Sequence, residues 1–418
     1  MVNGGSGESA VPLLSLDRLW ASSIFQDFRE SFSALFLVTI GNLITGIVLG
    51  VSTARLEMLP ALIVLIPGAI DMRGNTYGSL GSRLGSYLHT GQVYPTFKRT
   101  KIIDENVFSA FILSLMMSIY LGFVASIFAR AIGIEVSLIE LTTISIFAGV
   151  ISGFFLLWVT ISIAFLSYRS GWDPDNLTSP LITVAGDMVT LPLLFISMDF
   201  VLRLPKEWSQ LSFAFFVLSA FLGVLYTGIR SSEMSYSKKI LMESAPMFFV
   251  SGLLSTSSGI ILGGRVASLI GMAGILTLLP AFLEDGGAIS GILAAKLSSS
   301  LHLGSIEYSI LPNKDSLVLF LFTHTLGAFV FTLMGSFAYF INLAIHLETP
   351  PLRKMVLASI IAGEVLILLM NFIVYYLSMI SYRVGLDPDN TVIPTVTSLM
   401  DFFGTACLIT TIILMGII

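Results

Sequence analysis

Long apolar runs alternate with short polar segments along most of the chain. Each run is about twenty residues or longer, which is enough for a helix to cross a hydrocarbon layer about 30 Å thick. The runs lie at residues 31–53, 58–89, 105–130, 138–167, 177–202, 209–229, 243–264, 267–302, 315–343, 354–382 and 391–416. This pattern predicts an all-α polytopic membrane protein with about 11 spans.

The composition supports this class. Hydrophobic residues make up 55% of the chain and charged residues only 11%, which excludes a soluble globular protein. The lipid bilayer is therefore a predicted partner, and we expect no nucleic-acid partner. Because Cys407 is the single cysteine, intramolecular disulfides and thiolate zinc clusters are excluded.

The segment before the first run is amphipathic. Its apolar residues recur at three- or four-residue spacing, at Leu13, Leu16, Trp20, Ile24 and Phe28. Charged residues lie between them, as in helices that lie at a membrane interface. We predict a tail and an interfacial helix over residues 1–30, with a frayed extension of the first span as the alternative.

The runs form two series of five, with one unmatched run between them. This predicts a first five-span repeat over residues 31–205, a linker transmembrane helix over 206–235 and a second five-span repeat over 236–418. Because the linker returns the chain across the membrane, both repeats enter from the same side. We expect two parallel repeats about a pseudo-two-fold axis along the membrane normal.

Basic residues in the short loops predict the orientation. With the N-terminus inside, 11 Lys and Arg residues lie in cytoplasmic segments and 7 in outer loops. We therefore expect a multi-pass membrane protein with a cytoplasmic N-terminus and an external C-terminus. A single chain is expected to suffice for a pore, and a homo-oligomer is the alternative.

One stretch occurs twice. Residues 167–187 and 381–401 are identical at 11 of 21 positions, including an Asp-Pro-Asp-Asn sequence and, further on, Asp187 and Asp401. Each of these aspartates lies about ten residues inside an apolar run. A carboxylate at that depth is costly in hydrocarbon and indicates a functional site.

A second stretch is also repeated. Residues 67–91 align with residues 280–304, and Asp71 corresponds to Glu284. Carboxylates and glycine pairs interrupt the apolar run in both copies, as in broken helices whose freed carbonyls line a wet cavity. We predict such breaks and a pore or binding role here, while close helix packing through these glycines is the alternative.

Glycines four residues apart also occur in the first span of each repeat, without nearby charge. These are Gly46, Gly50, Gly259 and Gly263. For them we predict close helix packing.

The repeated acids suggest the chemistry of the site. A pseudo-two-fold axis would bring Asp187 and Asp401 face to face, and Thr183 and Thr397 lie one helical turn earlier on the same faces. This set offers only oxygen atoms, which hard cations such as magnesium and calcium prefer. Two adjacent negative charges also repel each other, and a divalent cation relieves that repulsion.

Two weaker hypotheses concern other acids. Glu364 lies within a span, but the corresponding residue of the first repeat is Val150, so we regard Glu364 as a possible gating or proton-linked group. The loop acids either cap helices or form a cytoplasmic cation vestibule. They are Asp173, Asp175, Asp387 and Asp389.

With these motifs the chain resembles the MgtE-type magnesium transporters and their animal relatives, solute carrier family 41. The Asp-Pro-Asp-Asn stretches and the sequence Arg73-Gly74-Asn75 support the resemblance. It implies an internally duplicated form of the five-span unit, without the soluble regulatory domains of bacterial relatives.

The resemblance also implies site residues. Asp187 and Asp401 would hold hydrated magnesium, with contributions from Asp71, Asn75 and Glu284. One departure is that Ala288 stands where the first repeat has Asn75, so the two halves need not coordinate the ion equally.

The leading hypothesis is thus transport of magnesium, or another divalent cation, through a pore at the interface of the repeats. Mg²⁺ would be both bound and transported, with no organic cofactor. A sodium- or proton-coupled cation antiporter that uses the same acids is the alternative. An intramembrane aspartyl protease and a structural scaffold fit poorly, because neither explains the recurrence of the whole acid-bearing unit, and we do not expect an enzyme.

Overall fold

The computed structural model describes residues 13–96, 98–170, 174–230, 233–384 and 388–418. These residues form helices and no strand. The helices are α1 (Leu13–Val51), α2 (Thr53–Met58), α3 (Leu62–His89), α4 (Lys101–Ala131), α5 (Leu138–Arg169), α6 (Pro174–Arg203), α7 (Lys206–Ile229), α8 (Ser235–Gly263), α9 (Val266–Gly271), α10 (Ala273–His302), α11 (Lys314–Ala344), α12 (Leu352–Arg383) and α13 (Pro388–Leu414).

Ten of the described helices are long and apolar enough to cross a membrane. The protein is therefore an all-α, multi-pass membrane protein, as predicted. The sequence predicted about eleven spans. The helix missing from the ten is α3, which is less apolar because it contains Asp71, Arg73 and Arg83. Its counterpart in the second repeat, α10, is among the ten.

The first helix differs from the prediction of a separate interfacial helix. α1 continues for 39 residues from Leu13 into the first span, because no proline or glycine lies between Leu13 and Gly41 to end it. Asp27 pairs with Lys296 at 2.6 Å, and Phe28 contacts phenylalanines of α11. This part of α1 thus packs against the second repeat. The tail before Leu13 lies outside the described residues.

Each repeat places its first helix against the other repeat. α1 packs along α10 and α11, and α8 packs in the equivalent way along α3 and α4. The last helix of each repeat packs on the second and fourth long helices of its own repeat, α6 on α3 and α5 and α13 on α10 and α12. These equivalent pairings indicate a pseudo-two-fold relation, while the direction of its axis in the membrane stays a prediction.

Glycines let α1 and α8, the first helices of the two repeats, cross the helices of the opposite repeat closely. A Cβ atom at Gly46 would lie 1.9 Å from the carbonyl oxygen of Thr277, and one at Gly259 would lie 2.3 Å from that of Val64. The other glycine of each pair would place its Cβ atom 2.6 Å from a side chain. The predicted packing role of the glycines in α1 and α8 is confirmed.

The predicted breaks in α3 and α10 are wrong. Both helices are continuous through the stretches that begin at Asp71 and Glu284. Glycine in a helix interior costs only about 1 kcal/mol relative to alanine, so these glycines do not force the helix to open. The acidic side chains, rather than freed backbone carbonyls, supply the polar atoms at this depth.

We expect the double variant Gly46→Ala/Gly259→Ala to be destabilised by about 1–3 kcal/mol, because each methyl group would overlap a backbone carbonyl of the opposite repeat. Thermal unfolding in lipid nanodiscs measures this loss. Gly228→Ala is the matched control, since a Cβ atom there would have no neighbour within 4 Å. Equal melting temperatures for both variants would contradict the close crossing.

Candidate functional site

A cavity of about 640 Å³ lies among α1, α3, α6, α8, α10 and α13, and its polar lining comes from both repeats. The structure brings together in it all seven side chains that the sequence suggested as ligands. They are Asp71, Asn75, Thr183, Asp187, Glu284, Thr397 and Asp401. Residues that are far apart in the sequence thus share one cavity.

Helical spacing aims the side chains of α3 into this cavity. Asp71, Asn75 and Ser79 recur every four residues and are half-buried, whereas most residues between them are fully buried. Residues four apart lie on one face of a helix. Gly74 and Gly78 line the same face, and Gly74 lets Thr183 of α6 approach closely, since a Cβ atom there would lie 3.1 Å from Cγ2 of Thr183.

Asp187 and Asp401 are the most deeply buried acids of the lining, with 1% and 8% of their surfaces exposed. Neither carboxylate oxygen of Asp187 has a hydrogen-bond partner among the described residues, and Oδ2 of Asp401 also lacks one. Asp187 lies close enough to Glu284, Asp401 and Asp71 to be repelled by each. Unpaired buried charges of one sign are unfavourable, so these oxygens suit a cation.

Asp71 is in a different environment, because hydroxyl and amide groups satisfy it. Ser251 and Ser255 of α8 donate to Oδ2 at 2.9 and 2.8 Å, and Asn75 donates to Oδ1 at 2.9 Å. Ser251 also lies 2.5 Å from the hydroxyl of Ser398 on α13. The first repeat's acid is therefore held by side chains of the second repeat.

The two α8 serines were missed by the sequence analysis. Their counterparts in α1 are Val38 and Asn42, so a comparison of the repeats does not reveal them. Their four-residue spacing on an otherwise apolar helix is the signal that could have shown a polar face. Ser255 also lies close to Asp401, while its single hydroxyl proton is donated to Asp71.

Asp285 is an acid that the sequence analysis did not assign. It is fully buried but does not line the cavity, and Thr39 of α1 lies 2.5 Å from its Oδ2 atom. The corresponding residue of the first repeat is Met72. This contact adds a polar bond to the packing of α1 on α10.

Among the remaining predicted acids, Glu364 is the one whose side chain the structure describes. Glu364 of α12 lies against His324 of α11, with Oε2 and Nδ1 2.6 Å apart, and it is not part of the lining. Asp175 and Asp389 lie in the first turns of α6 and α13, where only the backbone is described. The other two loop acids, Asp173 and Asp387, lie outside the described residues.

The arrangement fits a hydrated ion better than a tightly coordinated one. Within the described ranges, no three Asp, Glu, His or Cys side chains lie close enough together to hold a metal ion directly. Magnesium sheds its waters reluctantly and is usually bound through one or two carboxylates. Spaced carboxylates and hydroxyls in a roomy cavity match that preference.

The geometry agrees with a comparison against known protein families. The model of the MgtE divalent cation transporter family matches residues 66–197 and 279–411, which include the acids of both repeats. The chain belongs to this family. Members of the MgtE family are transporters rather than enzymes, and two matches in one chain agree with the internal repeat.

Curated relatives are similar over most of the chain. Solute carrier family 41 member 3 of Rattus norvegicus is 24% identical over 89% of this chain and 85% of its own length. Solute carrier family 41 member 2 of Xenopus laevis is 24% identical over 84% of this chain and 64% of its own length. The human member 2 is also 24% identical, over 82% of this chain and 62% of its own length. No solved structure matches.

We expect Asp187→Asn to be at least as stable as the wild type in EDTA, because the amide removes an unpaired buried charge. In saturating magnesium the wild type should gain about 2.7 kcal/mol at 100 times the dissociation constant, and the variant should gain much less. Thermal unfolding with EDTA or magnesium measures both effects.

Asp199→Asn is the matched control for this prediction. Asp199 is on the same helix but pairs with Arg55 at 3.0 Å, at a partly exposed position outside the cavity lining. Its loss should lower stability by no more than about 1 kcal/mol and leave the magnesium effect intact. A full magnesium effect in Asp187→Asn would refute the role of Asp187.

Proposed function

We propose that this protein transports magnesium, or another divalent cation, through the cavity between its two repeats. In this proposal Asp187 and Asp401 hold the hydrated ion in turn or together. The observation that supports it most strongly is the set of unpartnered oxygens on these two buried aspartates. Family membership supports the general class of cargo.

The cavity has room for a hydrated ion. A water molecule occupies about 30 Å³ in the liquid, so magnesium with its six waters needs about 200 Å³. The cavity volume of about 640 Å³ exceeds this several-fold. Asn75, Thr183 and Thr397 would then hydrogen-bond the waters of the ion, while the carboxylates supply the balancing charge.

We propose that the ion enters from the cytoplasmic side. The lining extends from Asp71 towards Ser82 near the end of α3 and Glu243 near the start of α8. In the opposite direction, Gly46 packs against the backbone of Thr277 and Gly259 against that of Val64, so the two repeats are in close contact there. With the predicted orientation, the open end faces the cytoplasm and the crossings close the outer side.

We expect Asp187→Ala/Asp401→Ala to abolish magnesium flux into liposomes that hold the purified protein, because both anchoring charges are lost. A magnesium-sensitive dye inside the liposomes measures the flux. Asp199→Ala should transport at the wild-type rate, since it leaves the cavity unchanged. Full flux in the double variant would remove both aspartates from the pathway.

The same assay distinguishes a passive pathway from an exchanger at the same site. Flux that needs only a magnesium gradient supports passive transport. Flux that needs a sodium or proton gradient supports the coupled antiporter, which uses the same acids.

A further inference from the structure

The linker helix α7 covers one face of the first repeat. Phe213, Phe216 and Ala220 of α7 pack on an apolar surface formed by α4 and α5, which includes Leu115 and Val150. This surface, the α4–α5 face, has an equivalent on the second repeat formed by α11 and α12, the α11–α12 face. A chain with one linker can cover only one of the two.

The α11–α12 face is left uncovered by the described part of the chain. Ala328 replaces Leu115 and Glu364 replaces Val150. Ile361 and Val365 beside Glu364 are 45% and 52% exposed. The second repeat therefore presents a helix pair of the same shape without a covering helix.

The chemistry of this face differs from that of an ordinary lipid-facing surface. His324 lies about ten residues into α11, about 15 Å along the helix, and Glu364 lies at a similar depth in α12. Their side chains are 27% and 30% exposed. Ionisable groups at such depth usually face protein or water rather than lipid, because their contact with hydrocarbon is costly.

We propose that a second copy of this chain packs against the α11–α12 face through a two-fold interface. A two-fold interface joins the same surface of both copies and must be complementary to itself. The His324–Glu364 pair meets that condition. Its bond within the chain joins Nδ1 to Oε2, and the other ring nitrogen, Nε2, can donate to the carboxylate of the partner's pair. An apolar helix such as α7 fits this face less well, because it would place phenylalanine side chains against the carboxylate of Glu364.

This arrangement is independent of the ion site. Polar side chains that bond across helices stabilise association within the membrane. The dimer would bury the two His324–Glu364 pairs near its axis and leave each chain with its own complete cavity. The unequal faces of the two repeats would then have a common cause, because one binds the linker and the other binds a second copy.

Disulfide cross-linking in liposomes tests the position of the interface. Cys407 is the single native cysteine, so Ile361→Cys is introduced in a Cys407→Ser background. Mild oxidation should produce a covalent dimer. Phe215→Cys on the lipid-facing side of α7, where Phe215 is 62% exposed, is the matched control and should stay monomeric. Equal cross-linking at both positions, or none at Ile361→Cys, would overturn the proposal.

Replacing the pair by its first-repeat counterparts tests the chemistry. Single-molecule photobleaching of labelled protein at decreasing protein-to-lipid ratios measures the dissociation constant. His324→Phe/Glu364→Val should weaken the dimer by about tenfold or more, whereas His324→Gln/Glu364→Gln, which keeps interhelical hydrogen bonds, should retain most of it. A monomeric wild type, or a dimer unaffected by the apolar replacement, would overturn the proposal, and the thermal unfolding of each variant verifies its fold.

Discussion

Negative charge that is buried without partners is the constraint on which the rest of this structure depends. Carboxylates lose their hydration in an apolar bundle and repel one another, so several acids in one space require compensation. Asp71 obtains it from two serines and an asparagine. Asp187 obtains none from the described residues, and the most direct compensation for it is a cation. The exchange of first helices matters here, because it brings the α8 serines to the acid of the other repeat.

The two repeats share the same helix packing but differ in the polar side chains that line the cavity. The glycine crossings at Gly46 and Gly259 are equivalent. In contrast, Asn75 of the first repeat corresponds to Ala288 of the second, and Asn42 corresponds to Ser255. The cavity therefore has one strongly hydrogen-bonding side and one weaker side. A fused pair of repeats permits such a difference, which identical subunits of a dimer cannot have.

The sequence was sufficient to predict the helical class, the repeat and the acids of the cavity, because depth and recurrence mark costly acids. Asn75, which has no match in the second repeat, was predicted only through the family resemblance. The sequence was insufficient for Ser251 and Ser255, since hydroxyls in apolar helices cost little and had no match in the other repeat. It was wrong about breaks in α3 and α10, because glycine permits an opened helix without requiring one. The sequence also predicted a separate interfacial helix before the first span, because the polarity changes there. In the structure both parts belong to α1, whose Phe28 packs against α11.

The most direct test of the central claim is an experimental structure with manganese in place of magnesium, in which anomalous scattering locates the ion. We predict one hydrated ion in the cavity, next to Asp187 and Asp401 and separated from at least one of them by a water molecule. The ion signal should disappear in Asp187→Asn/Asp401→Asn. An empty cavity at saturating manganese, or an ion bound only at another position, would contradict the account.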